Sequence, residues 1–173
     1  MEKHAQFYLV ATVIIVAIVA GVTFVANYSF EKTPSKFYPV EEELQIESAR
    51  VVDYGIYQKK NMQDLLKNFS RDYALNSDSD SSYFIFGKED NLTLAGHNKV
   101  SSEVVLINVG LGEQQITFNQ NQFQTFNFSN TGQNVKLIVN GISYDFPINK
   151  GNNFYFVVSK NIDNERYVAT NGD

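Results

Sequence analysis

From Phe7 to Ala26 the chain reads FYLVATVIIVAIVAGVTFVA, twenty residues without a charge, an Asn, a Gln or a Pro. As an α-helix this run covers about 30 Å, the hydrocarbon thickness of a bilayer. A soluble helix of that length needs a polar face, and Thr12 and Thr23 cannot supply one. Residues 1–30 therefore read as a signal or membrane-anchor segment. A cleavable secretory signal has an apolar core of only about 7–15 residues, and Asn27-Tyr28-Ser29-Phe30 offers no small-x-small site after this one. A retained transmembrane helix is the expectation.

Residues 31–39 hold Pro34, Pro39, Lys32 and Lys36, a connector in which each proline stops a helix and keeps its predecessor extended. Residues 40–76 then turn helical. Glu41, Glu42 and Glu43 suit a helix amino terminus. Val40, Leu44, Val51 and Tyr54 lie near one stripe, with Ile46, Ala49, Ile56 and Tyr57 widening the apolar surface. A second helix is expected on the stripe Met62, Leu65, Leu66, Phe69 and Tyr73, capped by Asn61 with Asp64 three residues on.

The period changes after Asn76 to Ser82, NSDSDSS, and residues 77–173 become short β-patterned runs between Gly, Asn and Asp turns. Val104 to Val109 reads as a central strand closed by Gly110-Leu111-Gly112. Asn140-Gly141 is a strong hairpin signal between Val135–Val139 and Tyr144–Ile148. The fold class expected is α+β: an N-terminal transmembrane or assembly helix, two short helices, then an antiparallel β-sandwich of about eight or nine strands.

Composition narrows the chemistry. With no Cys, thiolate catalysis, disulfides and cysteine metal sites are excluded. Net charge is -5, so no basic field attracts nucleic acid. His97, in Ala-Gly-His-Asn-Lys, reads as an exposed turn histidine, and His4 precedes the apolar run. Asp78, Asp80, Ser82 and Glu89 match four positions of a calcium loop, but its obligatory glycine is Tyr83, and Phe84-Ile85-Phe86 reads as strand. No metal, no cofactor and no catalytic constellation is expected. The 14 Phe and 10 Tyr should mostly fill the sandwich core.

Four Asn-x-Ser/Thr sequons, at Asn27, Asn68, Asn91 and Asn127, are candidate glycosylation acceptors, although 19 asparagines make chance matches expected. Residues 37–173 carry 11 basic and 17 acidic side chains, and this bulk is expected outside a membrane crossed once, with the N-terminus cytoplasmic.

Lys3-His4-Ala5-Gln6 followed at once by the apolar run resembles the class III signal of archaeal type IV pilins and archaellins. The resemblance covers about the first 30 residues. It implies a cut between Ala5 and Gln6, and a helix starting near Phe7 that enters a filament axis after leaving the bilayer. Ala17 and Gly21, four apart, allow close approach of such helices, which end near Ala26. The resemblance therefore implies a pilin-like structural subunit of a surface filament, partnered by membrane lipid and by copies of itself. The alternative is a monomeric membrane-anchored extracellular domain for binding, adhesion or contact with an envelope layer.

Overall fold

The structure, a computed structural model, describes residues 38–130 and 132–172. Lys36–Asp173 forms one compact unit. Two helices lead into nine strands: α1 (Tyr38–Tyr57), α2 (Met62–Asn76), β1 (Ser81–Lys88), β2 (Asn91–Asn98), β3 (Glu103–Asn108), β4 (Glu113–Phe118), β5 (Gln124–Ser129), β6 (Asn134–Val139), β7 (Ile142–Pro147), β8 (Asn152–Ile162) and β9 (Glu165–Thr170). A five-stranded sheet has the order β5-β2-β1-β8-β9 and a four-stranded sheet the order β4-β3-β6-β7. Every pairing within them is antiparallel. The α+β expectation holds for these residues. The helix expected over Phe7–Ala26 lies outside them, and no helix among the described residues is long and apolar enough to cross a membrane.

Two cores explain the burial pattern. One joins the sheets, with Tyr83, Ile85, Leu92, Leu94 and Val157 meeting Val105, Ile107, Leu137 and Phe146. The other lies between the helices and the far face of the larger sheet, where Leu44, Leu66 and Ala74 meet Phe84, Phe86, Phe156 and Val158. The central strand β1 is thus covered on both faces, and its first seven residues are all buried. β3, by contrast, alternates: Val105 and Ile107 point inward while Val104 stands exposed. Its nearly all-apolar sequence suggests cover on two sides. It is an inner strand of its sheet, but only one face has cover.

Each helix turns a narrow stripe of buried positions inward. On α2 the buried positions are Leu66, Ser70 and Ala74, one helical turn apart. Asn61 caps the helix as expected, its side-chain oxygen accepting from the backbone N–H groups of Gln63 and Asp64. On α1 the inward stripe runs through Leu44, Ser48 and Gly55, flanked by Val51 and Val52. A Cβ on Gly55 would stand 2.8 Å from Met62 Cε and 2.9 Å from Leu65 Cδ1, so the helices cross at this glycine. The broad apolar surface expected on α1 is therefore corrected: Ile46, Tyr54, Ile56 and Tyr57 face outward, Tyr57 being 83% exposed. Ser48 and Gly55 hold the inward stripe although neither registers as apolar.

The Asn140-Gly141 hairpin forms as expected. Val139 pairs with Ile142, and both turn residues have positive φ, 53° and 78°, the requirement of a two-residue type I′ turn.

Candidate functional site

The described acceptor asparagines lie on the helix side of the larger sheet or on the helix itself. Asn68 is exposed on α2, Asn91 begins β2, and Asn127 stands exposed on β5. Register brings two sequons face to face, Asn91 opposite Ser129 and Thr93 opposite Asn127. The Thr93 hydroxyl donates to Asn127 Oδ1 at 2.8 Å and accepts from Gln63 Nε2 at 2.9 Å. Ala5, Gln6, Phe7, Ala17, Gly21, Ala26 and Asn27 lie outside the described residues.

His97 is not in an exposed turn. It lies within β2, 5% exposed. The preceding Gly96, which reads as a turn signal, is a strand glycine: a Cβ there would stand 2.7 Å from Phe118 Cε1 and 2.8 Å from Tyr83 Cδ1. Burial first, and the Lys99 charge second, push the imidazole below its usual 6.5, so His97 is a neutral packing residue at physiological pH.

The four calcium-loop positions do not converge. Ser82 and Glu89 are separated by the length of β1, about 23 Å at ~3.3 Å per residue. Asp78 is bonded by Lys160 Nζ, and Asp80 Oδ2 accepts from the backbone N–H and side-chain amide of Asn161 at 2.8 and 3.1 Å. These aspartates fasten the chain entering β1 to β8. No group of His, Asp and Glu among the described residues is arranged to hold a metal ion.

At one end of the sandwich the inward face of the larger sheet turns polar at several adjacent positions. On the larger sheet the inward phase, apolar at Tyr83, Leu94 and Val157, changes at this end to Ser81, Asn98, Ser159 and Arg166. Glu103, which starts β3 on the inward phase of Val105 and Ile107, faces them from the smaller sheet. A cavity of about 350 Å³ opens there. Its floor is a hydrogen-bonded cluster: Ser81 and Ser159 Oγ lie 2.6 Å apart, Arg166 Nη2 donates to Ser159 Oγ at 3.1 Å, and Tyr83 Oη lies 2.5 Å from Glu103 Oε2 and 2.9 Å from Asn98 Oδ1. Burial, then the hydrogen bond and charge of Glu103, raise the Tyr83 phenol far above 10, so it remains a proton donor.

The same end exposes Val100 and Val104, 61% and 48% accessible, at the rim. Arg166 Nη2 is 4.0 Å from Glu103 Oε1, an ion pair too wide for a hydrogen bond. Asp80 also lines the mouth, so two carboxylates face one guanidinium there.

A second, larger cavity of about 650 Å³ lies where the α1–α2 turn approaches the β1–β2 hairpin, edged by Lys59, Lys60 and Lys88 with Asp90 among them. Its lysines are exposed surface residues.

Sequence reasoning did not single out Tyr83, Asn98, Glu103 and Arg166 as a group. The signal available was local: Glu103 and Arg166 each occupy the apolar phase of an alternating strand, two residues before Val105 and Val168. A charge on that phase is either a strand end or a polar interior. No known family, curated protein or solved structure shows a significant match to this chain.

Proposed function

We propose that the chain is a pilin-like structural subunit of a cell-surface filament. Phe7–Ala26 would hold it in the membrane and then pack with copies of itself in the filament axis, with residues 36–173 displayed outside. The division of the chain carries this reading. An uncharged run of twenty residues, preceded by Lys3-His4-Ala5-Gln6, is followed by a β-rich unit, Lys36–Asp173, that is compact by itself. An apolar helix loses its lipid contacts on leaving a bilayer, and burial against like helices replaces them. A sheet pair closed around its own core suits the outside of such a polymer.

Mass spectrometry of the native protein tests the assembly signal, and Gln6 as the first residue is the expected result. An intact Met1 or Glu2 terminus would exclude processing between Ala5 and Gln6. Electron microscopy of cells carrying labelled protein should show filaments, and protease added to intact cells should cut within residues 37–173.

The second reading is a monomeric membrane-anchored extracellular domain that binds or contacts an envelope layer. It is favoured by Ile46, Tyr54 and Tyr57, which stand exposed on the outward side of α1. A diffuse surface coat with an uncut N-terminus is the outcome that selects it.

A further inference from the structure

We infer that the polar mouth between Glu103 and Arg166 is a binding site for one neutral, hydroxyl-bearing ring, a monosaccharide unit of a glycan. The proposal applies to a filament subunit and to a monomeric anchored domain alike.

Unmet hydrogen bonds converge on this place. Among the described residues four buried side-chain polar atoms have no hydrogen-bond partner, and three of them are Asn98 Nδ2, Glu103 Oε1 and Arg166 Nε. All three residues line the mouth, and Asn98 is 2% exposed. Leaving such groups unpaired costs about 1–3 kcal/mol each, so their gathering at one opening points to a ligand that would pair them. Tyr83 has one hydroxyl proton and two acceptors, Glu103 Oε2 and Asn98 Oδ1. If the proton goes to the carboxylate, the Asn98 amide turns over to donate to the phenol, and its oxygen becomes the unmet atom. The site then presents two acceptors and a donor in place of one acceptor and two donors. A hydroxyl group donates and accepts, and so satisfies either arrangement.

Charge selects against anions, because an anion drawn to Arg166 would meet Glu103 and also the Asp80 carboxylate, whose hydrogen bonds from the neutral Asn161 leave its charge in place. A cation drawn to the carboxylates would meet Arg166. A hydroxyl oxygen set beside the pair, off the 4.0 Å line between Arg166 Nη2 and Glu103 Oε1, can accept from the first and donate to the second. Because the three unmet atoms are buried, a ligand reaches them only once the Arg166 side chain, held by Ser159 Oγ at 3.1 Å, moves aside. Val100 and Val104 at the rim offer the apolar surface against which the C–H face of a sugar ring packs. At about 350 Å³ the cavity lies near the lower end of the ~300–1,000 Å³ range of small-molecule sites. It is far larger than one water requires.

The test is ligand-observed NMR on the full-length protein in a detergent without a sugar headgroup. The probes are methyl α-glucopyranoside, methyl α-mannopyranoside and methyl β-galactopyranoside, with glucosamine and sialic acid as charged counterparts. Saturation transfer to the ring protons of at least one neutral glycoside is expected, with both charged sugars at least tenfold weaker. Glu103→Gln removes the charged acceptor, and Val104→Lys, at an exposed rim position, blocks the ring face without touching the core. Each should weaken binding at least tenfold, and Val104→Lys should keep the wild-type melting temperature. Absence of transfer to every neutral glycoside, preference for a charged sugar, or full binding by folded Val104→Lys would each overturn the assignment.

Discussion

Gly55 is the point at which the two helices touch, and enlarging it should be costly in a way that a second change repairs. A Cβ at this position meets Met62 Cε at 2.8 Å and Leu65 Cδ1 at 2.9 Å, both closer than carbon atoms pack. Gly55→Leu replaces a helix-interior glycine, which by propensity alone gains about 1 kcal/mol. Against this stand four added carbons in filled space, and overpacking costs about 1–3 kcal/mol. The steric effect wins here because the neighbours are themselves held: Met62 packs against the helix–sheet core and Leu65 shares its turn with fully buried Leu66. A net loss of up to about 2 kcal/mol follows. Met62→Ala, a truncation of a half-buried side chain, should cost about 1–2 kcal/mol by itself. In the double variant the leucine occupies the space that the methionine vacates, so the pair should lose less than the sum, by about 1 kcal/mol or more. Urea unfolding of residues 36–173, followed by circular dichroism at 222 nm, measures this as midpoint shifts of up to roughly 1 M for the single changes. Strict additivity would refute the contact as the cause.

Three further outcomes follow from the described residues. Asn61→Ala removes the side-chain acceptor of two backbone N–H groups at the start of α2 and should lower stability by about 1 kcal/mol, whereas Asn61→Asp should hold it; equal losses would sink the capping account. Gly141→Val forces a β-branched residue to φ 78° and should cost about 1–2 kcal/mol or more, read from the same urea curves, while Ile142→Thr beside it should change little. His97 has its pKa held below 6.5 by burial and by Lys99. As pH falls through 6.5 the unfolded chain takes up a proton that the folded chain refuses, so stability declines, by at most about 1.4 kcal/mol per pH unit, until the folded imidazole titrates. His97→Gln should flatten that part of the stability profile between pH 7.5 and 5.5, and an unchanged slope would contradict the assignment.

What the sequence makes legible is what local chemistry dictates. Asn140-Gly141 announces its hairpin because two adjacent positive φ angles suit few other pairs. Asn61 announces a helix start because an amide oxygen satisfies N–H groups that have no other partner. The strands of the larger sheet are legible as strands, yet the cover on both of their faces is visible only as density of aromatics. Phe84 and Phe86 serve the helices while Tyr83 and Ile85 serve the other sheet. The outward turn of Tyr54 and Tyr57 is not legible, because α1 is seated by Ser48 and Gly55, which no apolar count notices. His97 is misplaced for a related reason: Gly96 is small to admit Phe118 and Tyr83, and a glycine kept for packing looks the same in sequence as one kept for a turn. The mouth is the least legible feature. Tyr83, Asn98, Glu103 and Arg166 come from four strands in two sheets, and only the pairing of β1 with β8 and of β8 with β9 brings the last of them to the first.

That pairing also sets the order in which the domain can be completed. β1 is the middle strand of the larger sheet, but its partner β8 lies far along the chain, Ser81 meeting Ser159 across 78 residues. Contacts of long sequence separation form late, because loop-closure entropy is lost before they return any stability. A chain emerging N-terminus first therefore presents β1, apolar on both faces, well before β8 exists to pair with it. In that interval α2 and β2 are the neighbours at hand, since β2 follows β1 through a hairpin and α2 precedes it directly. Until β8 arrives, the β8 edge of β1 stays unpaired, and that edge is the exposed one in this fold. Aggregation should track the lifetime of that open edge more closely than the stability of the finished domain.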